Sequence, residues 1–361
     1  MRYSAVFITF AILILLVCVA GVGFIFYLQN PERSYNKGVA SYEAGNYAEA
    51  IENLNEYLSY GYDNEKTSKA RYFLAAAVDH KAAHVSGLQP EAADSVVREK
   101  DALAMRRYID VINQNTPKAF RIEAIVGYAD ICRRQERYDR FITAKLEDVI
   151  HSHPDSKIED QIWMLLGWQY LYSGEHRKAM NCFLESAGDL AKLGQAKTHL
   201  KMEQYESAFR IYEDFFNFFP ASPNIKLVRA DYLREMAQFA KLHQDAKKYV
   251  EAVQVWKRIV DFFPESEDAE NARFHIGQCY FSMENWQEAL KWYLAAFNDK
   301  TKAKDEDALY QAGLSYYEMG QNVEAYKTFN TLINQYPNSV YQTRARQWVK
   351  QLKKDLEYFQ E

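Results

Sequence analysis

Glycine and proline are scarce in this chain, 14 and 8 among 361 residues, which argues against an all-β domain built on many tight turns. Cysteine is scarcer still. Cys18, Cys132, Cys182 and Cys279 stand singly and far apart, which excludes a disulfide framework and a C-x-x-C metal site. The last three fall in helical patterns and read as small buried hydrophobes. Phosphate-binding loops, dinucleotide fingerprints, zinc-protease helices, nucleophile elbows and calcium loops are all missing. Catalysis therefore has no support, and neither a cofactor nor a small-molecule substrate is implied. "HSHPDS" sets His151 and His153 beside Asp155 but lacks a well-spaced third ligand, so no metal is expected. Nor does one sign of charge dominate. The formal net charge is −5, and the cluster Arg133, Arg134, Arg137 and Arg140, interrupted by Glu136 and Asp139, reads as a solvated helix face. Nucleic acid, which demands clustered cations, is not an expected partner.

What the chain has is apolar and aromatic. Residues Ser4–Leu28, "SAVFITFAILILLVCVAGVGFIFYL", carry no charge. As a helix they would be about 37 Å long, enough to cross about 30 Å of hydrocarbon. A signal peptide cleaved near Ala20 would leave Phe24, Phe26 and Leu28 on a wetted terminus, so an uncleaved anchor is the better reading. Flanking charges, Arg2 on one side and Arg33 and Lys37 on the other, barely set an orientation. A short stub followed by a long soluble region fits a single-pass inner-membrane protein with its domain in the periplasm.

Beyond the anchor one pattern is rewritten several times. "SYNKGVASYEAGNYAEAIENLNEYL" contains Gly38, Gly45 and Ala50, and "IWMLLGWQYLYSGEHRKAMNCFLESA" contains Gly167, Gly174, Ala179 and Phe183. "ARFHIGQCYFSMENWQEALKWYLAAF" contains Gly277, Ala289 and Tyr293, and "ALYQAGLSYYEMGQNVEAYKTFNTLI" contains Gly313, Gly320, Ala325 and Phe329. Ala208 and Ala252 hold the same second-helix position as these alanines. Small residues let two helices approach, a ring fills the remaining gap, and Gly45, Gly174 and Gly320 suit left-handed helix stops. The junctions "HPDS", "FPAS", "FPES" and "YPNS" end one helix at the residue before proline. Ser156, Ser222, Ser266 and Ser339 then offer N-caps for the next. A single hairpin cannot bury both faces, so neighbours must stack. "YEDFFNFFP", with four Phe in five positions, predicts a helix buried on two sides, or else one ring exposed as a docking patch, the former being the better reading.

These units resemble tetratricopeptide repeats. The aromatic-Pro-x-Ser junctions are similar to those of bacterial envelope proteins of that kind, the Tol–Pal coordinator family and the lipoprotein subunit of the outer-membrane β-barrel assembly machine. The resemblance covers about residues 34–350, strongly at 161–187 and 247–339 and weakly at 66–158. It implies an all-α, right-handed solenoid after a transmembrane helix: residues 1–30 the anchor, 31–361 about eight hairpins and a closing helix. The expected hairpins are 34–60, 66–114, 118–151, 157–188, 189–219, 223–263, 267–298 and 304–335, then a helix at 339–358, read as one continuous array.

In such repeats the first helices line a groove that receives peptides or partner helices. By offset from each mid-helix glycine, the groove residues would be Tyr35, Val39 and Tyr42 around Gly38, and Met164, Trp168, Leu171 and Tyr172 around Gly167. Phe274, Gln278 and Phe281 follow around Gly277, and Tyr310, Leu314 and Tyr317 around Gly313. They are mostly aromatic or aliphatic, unlike the Lys, Asn and Arg set that clamps an acidic C-terminus. The expected function is a membrane-tethered scaffold binding other proteins of an envelope complex. The alternative is a chaperone-like accessory that holds unfolded or translocating chains near a translocon. A cytosolic organelle receptor is a rival on location alone.

Overall fold

The computed structural model describes residues 30–62, 64–83, 90–114, 116–152, 156–297 and 304–358. Ser4–Leu28 lies outside the described residues, as do His153 and Asp155. No helix among the described residues is long and apolar enough to cross a membrane. They contain seventeen α-helices and no strand. Two compact units divide after Met202, inside the stretch expected to form the hairpin 189–219.

The first unit holds α1 (Pro31–Glu43), α2 (Tyr47–Ser59), α3 (Glu65–Ala83), α4 (Pro90–Asn113), α5 (Lys118–Arg134), α6 (Arg140–His151), α7 (Ser156–Ser173), α8 (His176–Leu184) and α9 (Asp189–Lys201). Helices adjacent in sequence pack together. In addition α1 touches α3, α3 touches α5, α5 touches α7 and α7 touches α9, so the first helices of successive hairpins form a layer. The second unit holds α10 (Tyr205–Phe218), α11 (Ile225–Asp245), α12 (Tyr249–Phe262), α13 (Glu267–Ser282), α14 (Trp286–Phe297), α15 (Asp305–Glu318), α16 (Asn322–Gln335) and α17 (Gln342–Tyr358). There α13 touches α15 in the same manner.

The seams follow from volume. A Cβ on Gly313 would come within 2.6 Å of the Phe329 ring, one on Gly277 within 2.6 Å of Tyr293, and one on Gly38 within 2.7 Å of Leu54. Gly167 meets Phe183 at 2.5 Å, and Gly194 of α9 closes on the same ring from the other side. Ala50, Ala179, Ala208, Ala252, Ala289 and Ala325 are all fully buried. Each large side chain thus occupies a notch that any Cβ would obstruct.

The hairpin turns share one backbone solution. Gly45, Gly174 and Gly320 have φ of +77°, +83° and +72°, as their sequence context suggests. Glu136, Glu203, Lys247 and Glu284 adopt the same left-handed state, at φ of +50° to +58°. The reward is a bond from the residue beyond the turn to a carbonyl five residues back, as in Asn285 N–H to Tyr280 O at 2.9 Å and Gln321 N–H to Tyr316 O at 2.9 Å.

Junction chemistry differs from expectation in part. Phe219, Phe263 and Tyr336, each before a proline, leave helical geometry with φ of −125°, −134° and −124°. Ser266 caps α13, accepting from Ala269 N–H at 3.2 Å. Ser222 and Ser339 do not cap. They accept from the amides of Asn224 and Tyr341, forming local turns, and α11 and α17 begin three residues after each serine. A serine hydroxyl satisfies whichever nearby amide the turn presents.

Two further expectations hold in part. The arginine cluster is a solvated face, with Arg134, Arg137 and Arg140 exposed, but it is also tied down by ion pairs. Arg134 pairs with Asp79 of α3 and lies 3.8 Å from Asp101 of α4, while Arg133 bonds Asp130 at 2.8 Å and Arg137 bonds Asp139 at 3.1 Å. In "YEDFFNFFP" Tyr212 and Phe215 are fully buried, Phe216 and Phe219 are half-buried, and Phe218 is 72% exposed.

Candidate partner-binding surface

The first-helix layer places the expected groove residues, and none of the thirteen is freely exposed. Trp168, Leu171, Phe274 and Tyr310 are buried within the array itself. Trp168 packs edge-on to Phe183 with ring centres 5.5 Å apart, and Phe274 lies 5.6 Å from Tyr293. Tyr310 stacks on Tyr341 at 4.5 Å. In this conformation these four offer a partner almost no area. Their offset from the glycine points them at the next helix as much as at the open face.

The other nine are half-buried. On α13, Gln278 bonds the His275 ring nitrogen Nδ1 at 2.9 Å, and Phe281 packs on Trp286 at 4.6 Å. Burial lowers the His275 pKa, so the imidazole is neutral near pH 7. On α15, Leu314 borders the core, and Tyr317 lies 4.6 Å from Trp348. On α7, Met164 packs on the unit's core, and Tyr172 donates to the Arg133 carbonyl at 2.9 Å. On α1, Val39 and Tyr35 pack on the Leu54–Leu74 core, with Tyr35 5.2 Å from Tyr57.

The most continuous surface starts at Tyr42 and runs through residues the glycine alignment passes over. Tyr42 lies 5.8 Å from Tyr47 and 5.3 Å from Phe73 of α3. Phe73 lies 5.5 Å from Tyr72 and 6.1 Å from Phe120 of α5, and Tyr72 is 5.5 Å from Phe120. Exposed His80 stacks on Tyr47 at 5.1 Å. Half-buried rings therefore touch across three successive first helices, α1, α3 and α5. Partial burial raises the Tyr42 hydroxyl to about 12, so it is neutral at pH 7, and exposed Glu123 reaches the edge of the face beside Tyr72. At that rim Lys69 Nζ lies 5.7 Å from the Phe120 ring. The signal missed in the sequence is the aromatic content of "RYF" at 71–73 and Phe120. Its register was hidden because α3 has no glycine to align on.

The rest of the array offers less chemistry. Cys132, Cys182 and Cys279 are buried and free, and burial lifts their thiols to about 11, 12 and 11. They are small core residues, so their reactivity in cells would report burial rather than compartment. Among the described residues, no group of three or more His, Cys, Asp or Glu could hold a metal ion.

The family model of the tetratricopeptide repeat matches residues 307–339, which take in most of α15 and all of α16. That hairpin is a tetratricopeptide repeat. Its Gly313–Phe329 seam, its left-handed turn and its buried Ala325 recur in the hairpins described above. No curated protein matches the sequence. Among solved structures the chain is similar to the TPR2AB-domain:pHSP90 complex of yeast Sti1, at 13% identity over 90% of this chain and 98% of that one, with a TM-score of 0.31. It is similar to the TPR domain of P58(IPK), at 15% identity over 92% and 99%, TM-score 0.31. A third is YrrB, a TPR protein with an unusual peptide-binding site, at 16% identity over 56% and 97%, TM-score 0.32.

Proposed function

We propose that the chain is a scaffold of tetratricopeptide type, which binds partner proteins through its first-helix faces. The observation that carries this is the aromatic face Tyr42–Phe73–Phe120 with Tyr72, half-buried and continuous over three helices. Rings held at their base but open at their edge supply contact area at little entropic cost, which is the composition of binding hot spots. The uncharged Ser4–Leu28 segment supports tethering of this scaffold to a membrane, and the reading extends to an inner-membrane protein of a bacterial envelope complex with its helical region in the periplasm.

Two experiments test the parts separately. Cross-linking in native membranes followed by mass spectrometry should identify a small set of stoichiometric partners. Phe73→Ala with Phe120→Ala should lose them while the circular dichroism spectrum stays helical. An unchanged partner set removes the aromatic face from the function, and weak capture of many unrelated unfolded chains would favour the chaperone-like role. For the tether, protease applied to spheroplasts should digest the helical region, and carbonate should fail to extract the chain. Extraction by carbonate would end the anchor reading.

A further inference from the structure

Outside the aromatic face, the described residue distribution is most one-sided on α17. Its apolar residues are already used. Ala345 and Leu352 are fully buried with Phe329 and Leu332, and Trp348 stacks on Phe329 with ring centres 5.9 Å apart. The exposed positions from 342 to 354 are Thr343, Arg344, Arg346, Gln347, Lys350, Gln351, Lys353 and Lys354, so every exposed charge there is positive, and the first acid, half-buried Asp355, follows at the end of the row. Arg346, Lys350 and Lys354 follow at steps of four, which sets them in one row opposite Ala345 and Leu352. Like charges at that spacing on a helix repel one another. No basic residue lies in the last turn of α17, so the helix dipole offers these cations little return. A chain of net charge −5 has thus concentrated cations on one face at a cost in local stability.

We infer that the outer face of α17, with Arg346, Lys350 and Lys354 at its centre, docks an acidic helical segment of a partner protein. The charge row selects the chemistry. Cations repeat about every 6 Å along a rigid helix, and carboxylates at steps of four on a facing helix repeat at the same interval. A lipid surface fits less well. Helices that bind membranes bury an apolar face in the interface, whereas the apolar side of α17 is inside the protein and its exposed side has only Thr and Gln between the charges. The inference rests on the scaffold reading but uses a different surface. Variants at Phe73 and Phe120 should leave α17 docking intact, so the two can fail independently.

The test uses the purified full chain and a fluorescein-labelled, alanine-rich helical peptide with Glu at every fourth position, beside its Gln isostere. Fluorescence anisotropy should show binding of the Glu peptide alone. The triple variant Arg346→Gln/Lys350→Gln/Lys354→Gln should weaken it roughly tenfold or more, given the usual strength of exposed ion pairs. Raising ionic strength from about 0.05 M to about 0.3 M should weaken it similarly. Changing the three residues to Glu should abolish that binding and create binding to the corresponding Lys peptide, a gain that misfolding cannot imitate. Equal binding of the Glu peptide by wild type and triple variant would overturn the inference. So would binding to phosphatidylglycerol vesicles without binding to the peptide. Self-association that the triple variant abolishes would make the occupant a second copy and overturn it as well.

Discussion

The hairpin α15–α16 and the stretch α3–α5 solve the same packing problem by different chemistry. In α15–α16 the contact is a glycine notch filled by a ring, Gly313 against Phe329, with Ala325 buried beside it. In α3–α5 the notch survives once, where Gly127 receives Tyr108. The rest is held by two buried carboxylates and their partners: Arg134 on Asp79, Tyr108 on Asp79 at 3.3 Å, and Gln135 on Asp101 at 3.0 Å. Ring-in-notch contacts are non-directional and tolerate long arrays. Such an ionic network is costly to desolvate but fixes one register, because a displaced arginine would leave two buried carboxylates without their cation. The more irregular stretch, built on helices of 19 and 24 residues, is where such specification is most useful.

The comparison can be broken most sharply at the rings. Phe183 fills two notches, at Gly167 and Gly194, whereas Phe329 fills that at Gly313. Phe183→Ala should cost about 4–5 kcal/mol and Phe329→Ala about 3–4 kcal/mol in urea denaturation followed by helical signal. Equal losses would mean that the second notch adds no packing. Next comes the network. Arg134→Ala should cost about 2–4 kcal/mol, less than a fully buried pair because its side chain is 30% exposed. Asp101 sharpens the point through pH. Burial, the dominant influence, raises its carboxyl pKa above the ordinary value, although Arg134 and Gln135 oppose this. A raised folded-state pKa means that stability from holding the proton is present in acid and lost as pH rises through that pKa. Asp101→Asn should therefore raise the melting temperature at pH 7, and its advantage should shrink as the pH falls toward 4 and wild type takes up the proton. A gain independent of pH would assign the effect to packing instead. The smallest effect belongs to the turns. Glu284 and Gly320 occupy the same left-handed position in consecutive hairpins, at φ of +57° and +72°. Glu284→Gly should stabilise by about 0.5–1 kcal/mol, and Gly320→Glu should lose a similar amount.

Legibility in the sequence followed this chemical division. The expected hairpin 304–335 is α15–α16 at 305–335, and the closing helix expected at 339–358 begins at Gln342. Gly38, Gly167, Gly277 and Gly313 each meet the side chain of their own hairpin, because a missing Cβ is a volume that can be read from one letter. The arginines could not be read in that way. Arg134 and Arg140 look alike in sequence, yet only a neighbouring helix decides that the first meets Asp79. The surface suffered likewise: an offset from glycine could not tell Tyr42, half-open, from Tyr310, covered by Tyr341.

Periodicity, small-residue notches and proline stops are local or repeat within a few turns, so the chain by itself determined helical hairpins that must stack, and where several of them stop. Tertiary structure alone decided which rings stay open, which arginines are paired, and that Glu136, Glu203, Lys247 and Glu284 take a backbone state their side chains disfavour. Those outcomes depend on atoms brought together from different helices, where burial, pairing and turn closure outweigh what any one residue prefers.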